Sequence, residues 1–213
     1  MLILAADTSL PILSVALLDG DSLLGAIALE GRSSRNEKLL PALDWLLAEC
    51  GVDRHRIELF ATTRGPGSFT GVRIGLATMQ GLAMALRKPV CAMSTHEAIA
   101  LGEGDRDATH PLETMLVYDD AGRGEHYLSL FEGHRETIPP RLASADEQRA
   151  FAAEAVLAIR VGEFTQHANV AAGCARRARE IAERGELERY ADVTPIYVRL
   201  AEAEVQLNRK RDA

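Results

Sequence analysis

Three short apolar or alternating runs open the chain, residues 2–6, 13–18 and 23–30, separated by the turn-forming stretches "DTSLP" and "DGD". This pattern predicts three consecutive strands joined by tight turns. The period then changes: in "NEKLLPALDWLLAEC" the residues Leu39, Leu43, Leu46, Leu47 and Cys50 fall on one helical face, with Gly51 as the stop. Pro41 lies deep in that stretch and predicts that regular helix begins only near Leu39. "IELFATTRG" reads as a buried strand entering a glycine-rich loop, and "TGVRIGLATMQGLAMALRK" as a helix of about five turns. The first hundred residues therefore read βββαβα. A strand at "PVCAM" and a helix from "STHEAIAL" follow, and the polar, aperiodic "GEGDRDATHP" marks a boundary between lobes.

Beyond that boundary, "TMLVYDD" and "EHYLSLFEG" predict a hairpin around "DAGRG". Ser144 and Glu147 in "SADE" carry the spacing of a capping box that opens another helix. "VLAIRVG" reads as a strand, "CARRAREIAERG" as a helix and "PIYVRLAEAEVQLNRK" as a final helical segment. The expected organisation is a first lobe over residues 1–102, a smaller second lobe over 103–195, and a terminal helix and tail over 196–213 that packs back on the first lobe.

Two features of the first lobe stand out. The loop "RGPGSFTG" runs from a strand into a helix start, where unpaired backbone donors and the positive end of the dipole favour an anion. Val72 stands where a Walker A loop needs lysine, and Gly65, Gly67 and Gly71 do not have the dinucleotide-binding spacing. The loop's glycines serve either such a ligand or backbone geometry alone, with Ser68 or Thr70 as N-cap. Asp7, at the end of the first strand, either orients a metal-bound phosphate or caps its own turn.

The helix after the loop is apolar on two sides. Val72, Leu76, Met79, Leu82, Ala83 and Leu86 fill one face, while Ile74, Ala77, Gly81, Met84 and Ala85 fill the other, with Arg73 and Thr78 on the flanks. Such a helix is central in its own core or covered by a partner. The single tryptophan, Trp45, lies off the leucine stripe of the preceding helix, beside Lys38, Asp44 and Glu49, as an interface anchor would.

Composition narrows the function. The 213 residues carry a formal net charge of −7, which offers no broad footprint for nucleic acid. Cys50, Cys91 and Cys174 form no C-x-x-C pair, which fits free thiols in a reducing compartment, the cytoplasm by default. "MLILAA" lacks the basic start of a signal peptide. His55, His96, His110, His126, His134 and His167 show no metal-binding spacing, and no nucleophile stands beside a base, so no catalytic constellation emerges.

The blocks "ILAADTS", "SVALL", "EKLLPALDWLL", "TRGPGSFTGVRIG", "GLAMAL", "STHEAIA", "DDAGRGEHY" and "PIYVR", in that order, resemble the bacterial TsaB family, also called YeaZ. The resemblance implies a two-lobed α/β protein with the actin-like, ribonuclease H-like fold. It also implies a non-catalytic partner subunit, homodimeric when alone, that binds and activates a related catalytic subunit, TsaD. That subunit transfers a threonylcarbamoyl group to the adenosine beside the anticodon of tRNAs reading ANN codons, and an ATPase, TsaE, joins them. The subunit needs no cofactor of its own, with ATP or ADP entering only at the level of the complex, and tRNA is reached only through the complex.

Carried onto this chain, the partner interface comprises Leu39, Leu43, Trp45, Leu46, Arg73, Ile74, Ala77, Thr78, Gly81, Met84 and Ala85. Asp7, Thr8, Ser9, Gly65, Pro66, Gly67, Ser68, Phe69, Thr70 and Gly71 become a vestigial nucleotide site. The chain departs from the family pattern at Arg35 and Asn36, where many relatives have histidine, and at Arg123, one place later than usual. The competing class is a stand-alone ATP-binding hydrolase or kinase of the same fold. A weaker alternative is independent tRNA binding through Arg176, Arg177, Arg179 and the basic tail at 209–211.

Overall fold

A computed structural model describes residues 1–30, 35–102, 114–165, 169–188 and 193–198. The first half contains β1 (Leu2–Asp7), β2 (Leu13–Asp19), β3 (Ser22–Leu29), α1 (Arg35–Glu49), a single 3-10 turn (Arg54–Arg56), β4 (Leu59–Thr63), α2 (Phe69–Leu86), β5 (Val90–Met93) and α3 (Thr95–Gly102). The second contains β6 (Thr114–Gly122), β7 (Glu125–Glu132), β8 (Arg135–Ser144), α4 (Ala145–Glu154), β9 (Leu157–Arg160), the short α5 (Val161–Phe164) and α6 (Val170–Glu183).

The strands form two sheets. One has the order β3-β2-β1-β4-β5, antiparallel across β3, β2 and β1 and parallel across β1, β4 and β5. The other, β8-β7-β6-β9, repeats the theme with antiparallel β8, β7 and β6 and a parallel β9.

The period-two alternation of β1 and β2 decides how the layers stack. Leu2, Leu4, Ala6, Leu13, Val15 and Leu17 point to the face covered by α1 and α2. Ile3, Ala5, Ala16 and Leu18 point to the opposite face, where they share a core with α3, α6 and the inner side of the second sheet at Val117, Phe131 and Ile159. α4 covers the outer side of that sheet over Leu116, Leu128 and Leu130. Helix α6 follows the second sheet in sequence yet packs against the first: Ala171 N donates to Ser14 Oγ at 3.0 Å and Asn169 Nδ2 to the Ile27 carbonyl at 2.9 Å.

Three sequence expectations are corrected. Helix α1 begins at Arg35, not near Leu39, because Pro41 is exposed and the Glu37 carbonyl it leaves without an amide partner lies on the solvent side. Strand β8 was not expected, since Pro139 and Pro140 interrupt it; it is an edge strand whose register shifts around those prolines, which is where a sheet tolerates them. The segment from Val193 to Val198 is not helical: Ile196 N donates to the Arg64 carbonyl at 2.7 Å, and Gln80 Nε2 donates to the Val193 carbonyl at 2.9 Å. It lies as a strap along α2 and the glycine loop. The expected lobe boundary beyond Gly102 and the tail from residue 199 lie outside the described residues. Among the described residues no helix is long and apolar enough to cross a membrane.

Candidate functional site

The glycine loop is sewn to the turn between β1 and β2. Ser68 N donates to the Ser9 carbonyl at 2.7 Å, and Thr8 Oγ1 donates to the Gly71 carbonyl at 2.6 Å. Gly67 has φ +151°, and a Cβ there would lie 2.5 Å from the Ser9 carbonyl oxygen, so only glycine permits this approach. One turn into α2, a Cβ at Gly75 would meet Thr8 Oγ1 at 2.5 Å and Thr62 Oγ1 at 3.1 Å. Ser68 is the N-cap, its Oγ accepting from Gly71 N at 3.2 Å. The Gly65 carbonyl accepts from Thr95 N at 2.8 Å and ties the loop to the start of α3.

Asp7 lies beneath this assembly and is fully buried. Its Oδ1 accepts from Ser9 N at 3.1 Å, Ser9 Oγ at 2.5 Å and Thr63 Oγ1 at 2.5 Å, whereas Oδ2 has no partner. Burial pushes the Asp7 carboxyl above the usual carboxylate range, against the lowering effect of the Ser9 and Thr63 hydrogen bonds. Thr8 and Ser9 are buried as well, and so are Gly65, Pro66 and Gly71. Of the two readings of the loop, backbone geometry is the one these bonds support. The N–H groups of Ser68 and Gly71 are spent on Ser9 and on Ser68 itself, so the loop turns these donors inward and closes over Asp7, Thr8 and Ser9.

Helices α1 and α2 divide differently from the expectation. Leu39, Leu43 and Leu46 are 1–3% exposed and pack on the sheet, which makes their side chains unavailable to a partner. What α1 presents is Trp45, 58% exposed, with Leu40 also exposed. On α2, Arg73, Ala77, Gly81, Met84 and Ala85 face outward, Met84 at 66% exposure, and Ile74 and Thr78 are half-buried. A shallow groove of about 350 Å³ opens over this face, lined by Phe69, Thr70, Arg73, Ile74, Ala77 and Thr78.

Sequence reading missed the groove's lip. The Arg73 guanidinium stacks 3.8 Å above the exposed Phe69 ring, and its Nε donates to Tyr197 Oη at 2.9 Å. Tyr197 belongs to the strap read as helix, so this three-residue cluster had no signal in the chain order. Phe69 itself, assigned to the loop, is the first residue of α2 and lines the groove.

Elsewhere several titratable groups are buried or paired. Burial pushes the Cys91 thiol up to about 12 and the Cys174 thiol up as well, away from nucleophilic reactivity. His96 is buried with Nδ1 2.8 Å from Ser129 Oγ, and burial lowers its pKa to about 3. The Arg177 guanidinium grips Glu97 and Glu180, and Arg179 pairs with Asp21 and Glu183. That overturns Arg177 and Arg179 as free tRNA contacts, since their charge is already matched. A cleft of about 110 Å³ between Arg64, Cys91, Glu97, Ile181 and Glu188 is below the size of an ordinary ligand pocket. No group of three or more potential metal ligands occurs among the described residues.

Residues 32–185 match the family model described as TsaD: tRNA N6-adenosine threonylcarbamoyltransferase. Two relatives named tRNA threonylcarbamoyladenosine biosynthesis protein TsaB align with the chain. That of Haemophilus influenzae is 36% identical over 127 residues, 60% of this chain and 52% of its own. That of Bacillus subtilis is 32% identical over 132 residues, 62% of this chain and 56% of its own. The chain belongs to the TsaB branch of this family. It spans about half the length of the curated TsaB relatives it matches. A solved TsaB-type structure, titled YeaZ from Pseudomonas aeruginosa, superposes with a TM-score of 0.72 at 26% identity, covering 92% of this chain and 99% of that one. A second, titled an uncharacterized protein with similarity to peptidase YEAZ from the same organism, gives 0.75 at 25% identity, covering 93% and 99%. The chain shares the two-sheet α/β architecture of these YeaZ structures.

Proposed function

We propose that this TsaB-family chain serves in the synthesis of threonylcarbamoyladenosine on tRNA as a non-catalytic subunit. It docks a TsaD-like homologue through the outward faces of α1 and α2 and thereby supports transfer of the threonylcarbamoyl group. One observation carries the reading: Trp45, Ala77, Gly81, Met84 and Ala85 are exposed together on two neighbouring helices whose other faces are already committed to the core. Small residues allow a partner helix to approach closely, and Trp45 and Met84 supply the apolar area that anchors an interface. The names of the TsaB relatives supply the pathway. The closed turn over Asp7, Thr8 and Ser9 also favours a subunit that leaves the chemistry to its partner, as do Cys91 and Cys174 thiols pushed away from nucleophilic reactivity.

The test is reconstitution with a TsaD-like and a TsaE-like protein, reading association by sedimentation and modified adenosine in tRNA by mass spectrometry. Trp45→Glu and Ala77→Arg lie on the surface and should leave the thermal midpoint unchanged while abolishing association and modification together. Modification that proceeds equally without the chain, or ATP turnover by the chain alone, would reverse the reading.

A further inference from the structure

We propose that the end of the first sheet formed by residues 54–56 and 87–88 binds the phosphodiester backbone of RNA. Two short connections meet there. The 3-10 turn leads into β4, the end of α2 leads into β5, and these strands are parallel neighbours roughly 4.8 Å apart. Phe60 N donates to the Pro89 carbonyl at 3.0 Å, which fixes the two connections side by side. Arg54, Arg56 and Arg87 are exposed and Lys88 is half-buried, and none has an ion pair or hydrogen bond through its side chain to a described residue. By contrast, Arg64, Arg141, Arg149, Arg160, Arg177 and Arg179 are each paired with a carboxylate. The acids beside the basic edge are already engaged: Asp53 Oδ1 accepts from His55 N at 2.7 Å and Glu58 Oε2 from Leu2 N at 2.7 Å.

Arg87 adds an independent sign. It closes α2 in the left-handed region, φ 54° and ψ 46°, where glycine or asparagine is the unstrained choice. A cation at a helix C-terminus is favoured by the dipole, but that preference is met equally by a lysine or arginine within the last turn and does not require this backbone position. Arginine's planar fork suits phosphate oxygens. Residues 54–56 and 87–88 themselves include no exposed large apolar side chain, the nearest being Met84 on α2. The choice of RNA over an acidic protein also rests on the proposed function, which makes tRNA the polyanion of the pathway, and Met84, one turn before Arg87, puts this edge at the border of the proposed docking face.

The test measures fluorescence anisotropy of labelled, unmodified tRNA with the full-length chain alone, over about 50 to 200 mM salt. Four phosphate contacts give a plot of log affinity against log salt with a slope of about −3. The variant Arg54→Gln/Arg56→Gln/Arg87→Gly/Lys88→Gln should weaken binding at low salt by about tenfold or more and remove most of that slope. Arg54→Lys/Arg56→Lys/Arg87→Lys should retain it, which separates charge from folding, and thermal midpoints verify all three proteins. Unchanged affinity and slope in the quadruple variant would overturn the proposal. So would absence of tRNA binding by the wild-type chain, or tighter binding of polyglutamate than of tRNA, which would make the edge an acidic-protein site. No TsaD-like subunit is present, so failure of docking in the reconstitution leaves this measurement intact, and the two readings fail separately.

Discussion

Gly75 lets α2 lie close against Thr8 and Thr62, and replacing it with alanine tests whether that approach fixes the helix. Two effects oppose each other. Alanine in a helix interior is better than glycine by about 1 kcal/mol. Against this, the new Cβ would lie 2.5 Å from Thr8 Oγ1, roughly 0.8 Å inside an ordinary carbon–oxygen contact. Thr8 cannot rotate freely, because its hydroxyl donates to the Gly71 carbonyl at 2.6 Å in a buried site. Losing that bond leaves a buried pair unsatisfied, at about 1–3 kcal/mol. Keeping it forces α2 outward, an overpacking strain of about 1–3 kcal/mol. With the helical gain subtracted, the net expectation for Gly75→Ala is a destabilisation of about 1 kcal/mol. In a Thr8→Ala background the offending oxygen is gone and the nearest remaining Thr8 atom is its Cβ at 3.8 Å, with Thr62 Oγ1 at 3.1 Å left to give way. Gly75→Ala should then be close to neutral, giving a coupling of about 1 kcal/mol in the double-mutant cycle. Urea unfolding followed by circular dichroism on the four proteins measures it. A single mutant as stable as wild type, or additivity within about 0.5 kcal/mol, would refute the claim that this contact sets the position of α2.

Other expectations follow from the same geometry. A Cβ at Gly173 would overlap the Ala98 carbonyl oxygen and lie 2.8 Å from Gly102 N, so Gly173→Ala should separate α3 from α6 and cost about 2 kcal/mol net of its helical gain, read as a lowered urea midpoint. Glu136 is raised from 4.5 to about 7 by burial first and by the Glu97 charge second, so its folded state holds the proton more tightly than the unfolded chain does. The resulting stabilisation is present below about 4.5 and lost as pH rises through about 7. Glu136→Gln should therefore raise the thermal midpoint at pH above 7 and leave it unchanged at acidic pH, and equal shifts at both would contradict the assignment. His96, lowered from 6.5 to about 3, has the opposite slope: the unfolded chain takes up a proton below 6.5 that the native state refuses. Stability should fall by about 1.4 kcal/mol per pH unit from this group alone, and His96→Gln should flatten that limb of the profile.

Much of the first sheet was legible because β1 and β2 alternate in period two while α1 and α2 repeat near 3.6, and no proline interrupts any of these strands. The failures have physical causes. Pro139 and Pro140 erased the signal of β8, since the sequence alone does not show that a strand lies at an edge. The strap at 193–198 is apolar enough to read as helix, but its carbonyl and amide groups are claimed by Gln80 and Arg64, more than a hundred residues earlier. Arg177 and Arg179 looked like a free basic face because their partners Glu97 and Asp21 are 80 and 158 residues away. The leucines of α1 misled for a more general reason. A stripe strong enough to reveal the helix is the stripe that the helix buries in its own core, so Leu39, Leu43 and Leu46 were poor candidates for a partner. The informative residues were those off the period, Trp45 on α1 and Met84 on α2.

The turn over Asp7 explains how the core can dictate the outer surface. In open α/β sheets the carboxyl ends of parallel strands are where ligands bind, and β1 and β4 end there side by side at Asp7 and Thr63. In this chain that place is filled from within: Thr63 and Ser9 donate to Asp7, Ser68 reaches Ser9, and Thr8 reaches Gly71. The bonds to Asp7 tie β1 to β4 and to its own turn, those of Ser68 and Thr8 tie that turn to the loop and the first turn of α2, and Gly67 and Gly75 remove the side chains that would hold them apart. The start and depth of α2 are thus set by buried hydrogen bonds, not by surface contacts. Because a helix carries its faces at a fixed rotation from its first turn, fixing Ser68 and Gly75 also fixes where Ala77, Gly81 and Met84 point. A rigid presentation of this kind lowers the ordering cost of association, so disturbing the loop should weaken docking even though no loop residue from Gly65 to Gly67 touches the proposed partner face.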